Sequence, residues 1–168
     1  VTATSSIART IVPASLAGAA SFVAPNLLAM AESPQKPANA VWYASLRKPR
    51  FNPPEALMPL IWTAIESLLA FTGFRLLRRR PSPARNRALA GWGSITLMIG
   101  GWSLIFFGRK NLAASAVASA AMVAGGVYTY RTTHAIDPQA ARAVLPFIAW
   151  TAFATVLSTA IWRLNRSR

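Results

Sequence analysis

ALMPLIWTAIESLLAFTGF, residues 56–74, runs for 19 residues with one charge, Glu66. At 1.5 Å per residue a helix of that length reaches about 28 Å, close to the roughly 30 Å of hydrocarbon in a bilayer. A lone strand would leave its backbone polar groups unsatisfied in lipid, and the alternation of a barrel strand is missing. The stretch therefore reads as a transmembrane helix.

Four more segments of similar length lie around it. Residues 10–31, 88–108, 111–130 and 143–162 carry no charge. The 18 Lys and Arg residues, set against four acids, fall into clusters between these segments. A formal charge of +14 would otherwise suggest nucleic acid. Cations confined to the flanks of apolar spans argue instead for a lipid bilayer as partner and against nucleic-acid binding. The expected fold is all-α, an integral, multi-pass membrane bundle of five transmembrane helices forming one domain over residues 1–168. Brief links make successive helices antiparallel. The long first loop, 32–55, is the exception. Nine cations fall on each side of this topology, so charge leaves both the orientation and the membrane open.

Two segments carry alternatives. Arg9 before the apolar run 10–31, with AMA at 29–31, resembles a secretory signal, although 22 residues is long for its core. A retained first helix and a removed signal both fit. In 111–130, small residues one turn apart, Ala114 with Ala118 and Ala121 with Gly125, permit close helix approach. That approach serves either packing within the bundle or a homodimer.

The first loop holds WYASLRKPRFNPP, residues 42–54, a dense run of aromatics, cations and prolines. Interfacial aromatic belts have such a composition, and so does a stiff lid over a pocket. The order of residues resembles the tryptophan-rich sensory protein / translocator protein (TspO/MBR) family, which includes the peripheral-type benzodiazepine receptor. Its W-Y-x-x-L-x-K-P-x-[FW]-x-P-P pattern is met by Trp42, Tyr43, Leu46, Lys48, Pro49, Phe51, Pro53 and Pro54. PLIWT at 59–63, WSLIFFG at 102–108, PFIAWTAFATVL from Pro146 and AIWRLN ending at Asn165 match the family's later motifs in order.

The resemblance implies a ligand cavity opening toward the first loop. It also implies a function of binding and transporting hydrophobic ligands such as porphyrins (tetrapyrroles) or sterols, with a sensory role. No cofactor is required, and porphyrin or haem is a candidate ligand. The residues it points to are Trp42, Tyr43, Lys48, Phe51, Trp62, Glu66, Ile99, Trp102, Phe106, Trp150, Phe153 and Ser158. Trp62, Trp102 and Trp150 are expected around a common interior, with Lys48 and Arg47 attracting propionates at the mouth. Trp92, outside the motifs, is expected at the membrane interface.

Several positions depart from the pattern. Ile99 and Ser158 stand where the family has Asn, Ala118 where it has an acid, Thr159 where its sterol pattern has Tyr, and Glu66 where it has Tyr. A mid-span carboxyl costs about 2.5–3.5 kcal/mol on insertion scales. Glu66 is either a cavity group, weakening the binding of anionic porphyrins when ionised, or a carboxyl bonded to a neighbouring helix.

An enzyme that promotes degradation of a bound porphyrin through the cavity tryptophans is the alternative function. One histidine, His134, no cysteine and four scattered acids give no dyad, triad or metal-ligand spacing. A small multidrug exporter would be equally basic and helical, but it would not need these motifs.

Overall fold

The computed structural model describes residues 12–33 and 35–166. Helix α1 covers residues 12–31 and contains a π-helical turn, Ala19–Val23, before its last segment, Ala24–Ala31. The first residues of the expected span lie outside the described residues. Next come α2 (Pro37–Ser45), α3 (Met58–Leu77), α4 (Pro83–Ser103), α5 (Leu112–His134), the short α6 (Pro138–Arg142) and α7 (Leu145–Asn165). A 3₁₀ turn, Glu55–Leu57, leads into α3, and a π turn, Leu104–Gly108, continues α4. The described residues form no strand.

The helix starts follow local chemistry. Ser82 accepts from the Arg85 amide at 3.2 Å, Asn111 from Ala114 at 2.9 Å and Asp137 from Ala140 at 3.1 Å. Each side chain satisfies an amide that the helix leaves without a partner, and Pro83 and Pro138 supply the fixed φ of a first turn. Lys110, at φ 49°, takes the left-handed conformation that lets Arg109 and Lys110 reverse the chain within a few residues.

Among the described residues, four helices are long and apolar enough to cross a membrane: Glu55–Leu77, Pro83–Gly108, Leu112–His134 and Pro138–Asn165. The fifth expected span, represented by α1, is not one of these four, although α1 packs along α4 and against α3. The helices run several residues past their expected charged borders. The first loop also differs from expectation. It contains α2, so Trp42 and Tyr43 sit on a helix rather than on an extended lid.

Neighbour packing runs α3–α1–α4–α5–α7, with α5 and α7 in the broadest contact. Glycines make the closest approaches. A Cβ at Gly126 would meet Ile148 and Phe147 on α7 at 2.8 and 3.1 Å, and one at Gly125 would meet Ile95 on α4 at 3.1 Å. Part of the small-residue face of α5 is thus used inside the bundle. Val117 and Tyr128 lie on its outer side.

One core cluster joins Ile65, Leu69, Ile95, Ile99, Met122, Val144 and Phe147. A second joins Ala17, Leu76, Ala88 and Trp92. The placement of Trp92 corrects the interfacial expectation, because the residue is buried. Its indole N–H donates to Leu69 O at 2.8 Å, and its six-membered ring occupies the space where Gly73 lacks a side chain. Buried indole needs a partner for its N–H, and the α3 carbonyl provides one.

The end of the bundle away from the first loop is fixed by charge. Arg75 donates to Asp137 through Nε at 2.8 Å and Nη2 at 3.1 Å, and Arg79 adds a bond of 2.9 Å. Thr72 donates to Ala140 O at 3.0 Å one turn further in. Burial alone would raise the Asp137 carboxyl. The two guanidinium groups and the Ala140 amide outweigh it and hold the group well below the usual carboxylate range.

Candidate ligand site

The antiparallel register of α3 and α7 determines what the first loop covers. With Thr72 level with Ala140, the start of α3 falls near the middle of α7. The final turns of α7 extend beyond it, and the loop lies along them. Phe51 meets Phe153 edge to face at 6.3 Å between ring centroids. Further along, Asn165 Oδ1 accepts from the Arg47 amide at 3.0 Å, while its Nδ2 donates to Arg47 O at 2.9 Å and to Ile161 O at 2.7 Å.

Beside this strap, α2 presents Trp42 and Tyr43 to the end of α4. Trp42 contacts Phe106 and Phe107 edge to face at 5.3 and 6.3 Å, and Tyr43 contacts both at 6.0 Å. Phe106 in turn stacks on Trp102, with centroids 4.7 Å apart and planes 13° from parallel. The Trp102 indole is held from behind, donating to Ser119 Oγ at 2.9 Å and Ser115 O at 3.1 Å. The π turn at Leu104–Gly108 lets Phe106 and Phe107 both be buried where the cluster forms. Gly108 leaves room for the Glu32 side chain, whose Cγ would lie 2.7 Å from a Cβ there. Glu32 also accepts from Asn39 at 3.1 Å, tying α2 back to the end of α1.

The expected residues thus separate into groups. Trp42, Tyr43, Trp102 and Phe106 form one aromatic cluster. Phe51, Phe153 and Trp150 form a second run, Trp150 lying 5.3 Å from Phe153. Trp62, Trp102 and Trp150 all pack against the core cluster that contains Ile99. Ser158 is buried on α7.

Lys48 lies 3.9 Å from the centre of the Tyr43 ring and 3.5 Å from Glu55, so its ammonium is engaged within the loop. Burial pushes the Tyr43 phenol up and the Glu55 carboxylate adds to this, with Asn52 opposing. Glu66 is buried and turned toward α1, where the Asn26 amide donates to it at 3.3 Å. It is not joined to the tryptophans by any such bond.

Two open apolar grooves adjoin these groups. One, of about 440 Å³, lies between α3 and α7 and is lined by Ile61, Ala64, Ile65, Pro146, Ala149 and Trp150. The other, of about 560 Å³, lies beneath the loop against α7, with Pro49 and Phe51 on one side and Thr155, Thr159 and Arg163 on the other. The threonine hydroxyls donate to Thr151 O and Thr155 O of their own helix, so both are already satisfied.

Asn165 and Phe107 were the residues missed in the sequence reading. Both stood inside quoted motifs, but only contact across the fold gives them a role.

Apolar helices of bilayer length, an aromatic cluster at one end and a helical loop strapped over the last of them define a helical membrane protein with a hydrophobic site. The TspO/MBR family model matches residues 16–163, and the chain belongs to that family. It is 28% identical over 127 residues to the translocator protein of Homo sapiens, covering 74% of this chain and 75% of that one. It is 29% identical over 127 residues to the tryptophan-rich sensory protein of Cereibacter sphaeroides, covering 76% and 78%. With the tryptophan-rich protein TspO of Chlorobaculum tepidum it shares 28% over 131 residues, covering 77% and 83%.

Proposed function

We propose that this protein binds flat hydrophobic ligands, porphyrins or sterols, within a five-span bundle that pairs as a homodimer, and that binding serves transport or sensing. The observation that carries the reading is the aromatic cluster in which Trp42 and Tyr43 of α2 meet the Trp102–Phe106 stack. Aromatic faces suit a macrocycle, and an apolar site with few polar groups suits burial over orientation. No resident cofactor is needed for binding, and haem is a second candidate ligand. The test is tryptophan quenching of the purified protein by protoporphyrin IX, haem and a sterol. Saturable quenching by at least one, reduced in Trp42→Ala, is expected. Absence of saturation with all three refutes the proposal.

The arrangement of Trp62, Trp102 and Trp150 around one core cluster favours a second reading, degradation of a bound porphyrin through these rings. Loss of porphyrin absorbance under illumination, dependent on Trp102 or Trp150, would support it over binding alone.

A further inference from the structure

We propose that Asn165 is a latch, a positioning residue that holds the first loop along α7 and so sets the rate at which a ligand reaches and leaves the aromatic site. The inference rests on the ligand-binding reading above and adds to it the residue that controls access.

Asn165 is the last residue of α7 and is 7% exposed. Its side chain grips the Arg47 backbone on both sides of the Cα, accepting from the N–H of one peptide and donating to the carbonyl of the next across 118 residues of sequence. A primary amide can do both at once. A carboxylate keeps only the acceptor, and an aliphatic side chain keeps neither. The backbone held in this way leads directly into Lys48 and Pro49. Lys48 packs on Tyr43, whose ring meets Phe106 and Phe107. Fixing Arg47 therefore fixes the cation and, through it, one wall of the aromatic cluster.

Helix α2 is pinned separately by its rings against Phe106 and Phe107, and the other ties of the segment after it are weaker. Glu55, the partner of Lys48, is 70% exposed, and exposed ion pairs contribute little. Phe51 is itself half exposed where it meets Phe153. Pro49, Pro53 and Pro54 stiffen the segment, so release at Arg47 moves it as a piece rather than fraying it residue by residue. Two neutral hydrogen bonds are strong enough to keep the loop closed most of the time and weak enough to break thermally.

The test is stopped-flow quenching by protoporphyrin IX in nanodiscs, for wild type, Asn165→Asp and Asn165→Leu. A latch that is closed with and without ligand predicts that association and dissociation rates rise together. About tenfold is expected in Asn165→Leu and less in Asn165→Asp, with the dissociation constant within about threefold of wild type. A residue serving only to cap α7 would leave both rates unchanged, and that result overturns the proposal.

Hydrogen exchange on ligand-free wild type gives a check that needs no variant. The Arg47 amide should be protected and should exchange with the loop in one opening event, whereas exchange at the unprotected rate overturns the latch. Wild type that shows no quenching defeats the ligand reading and this role together. Wild type that quenches with unaltered rates in both variants defeats the latch alone.

Discussion

Gly73→Ala tests the packing of α3 on α4. A Cβ at position 73 falls inside the contact distance of three carbons of the Trp92 ring. The ring has little room to yield. It is 6% exposed, surrounded by Ala17, Leu76 and Ala88, and bonded at 2.8 Å to Leu69 O. Overpacking a filled site costs about 1–3 kcal/mol, and a displaced indole loses a hydrogen bond worth about 1 kcal/mol more. The sum is about 3 kcal/mol, or roughly 10 °C in a chain of this size. The assay is thermal unfolding in detergent of Gly73→Ala, Trp92→Leu and the double variant. Because the three atoms nearest the added methyl all belong to the ring, the double variant should be less destabilised than the two single changes added together, with a coupling above about 1 kcal/mol. A Gly73→Ala protein that melts with wild type, or a cycle that adds up, would refute the socket.

Three further outcomes follow from the geometry. Asp137→Asn should lower stability at pH 7 by about 3 kcal/mol, since it leaves two guanidinium groups around a buried neutral side chain and Arg79 is half in solvent. Because the folded carboxyl is held below its ordinary value near 3.9, this stability is complete above that pH and disappears as pH falls toward the depressed value. Melting of wild type and Asp137→Asn should therefore stay apart by a constant amount from pH 7 to about pH 4 and begin to approach one another only between pH 4 and pH 3. Trp102→Phe removes the donor to Ser119 and Ser115 while keeping an aromatic face, so titration should show protoporphyrin binding weakened by less than about tenfold. Glu66→Gln can still accept from Asn26, so porphyrin titrations from pH 5 to pH 9 should give superimposable profiles for wild type and variant. A flattened profile would place the carboxylate at the ligand after all.

The spans were legible because lipid imposes one simple demand, a length of helix with at most one charge, and residues 56–74, 88–108, 111–130 and 143–162 meet it without reference to any neighbour. Their ends were less legible. Arg75 ends the charge-poor run, yet the helix continues to Leu77, and Asp137 receives the Arg75 guanidinium. Nothing near Arg75 in the sequence points 62 residues ahead. Helix α2 was hidden for a different reason: nine residues give too little periodicity to stand out from a proline-rich loop. Trp92 was misassigned because an aromatic outside a motif looks like an interfacial anchor. Its socket is a glycine on another helix, and a missing side chain leaves no local signal.

The departures from the family pattern take on meaning once their positions are known. Ile99 is buried in the cluster on which Trp62, Trp102 and Trp150 pack, so an apolar residue there removes a polar group from the interior shared by the three rings. Ser158 is short and buried, and Glu66 is engaged with α1, so neither extends a long polar side chain toward that interior. The Trp102 N–H, which could have oriented a ligand, is already used by Ser119 and Ser115. What these groups leave toward a ligand is mainly ring face and aliphatic surface. Such surface rewards flatness and area, while a few placed polar groups are what separate one ligand from another of similar shape. On the ligand-binding reading, selectivity in this chain therefore falls to the loop, where Lys48, Glu55 and the Tyr43 hydroxyl gather the polar chemistry and Asn165 fixes its position.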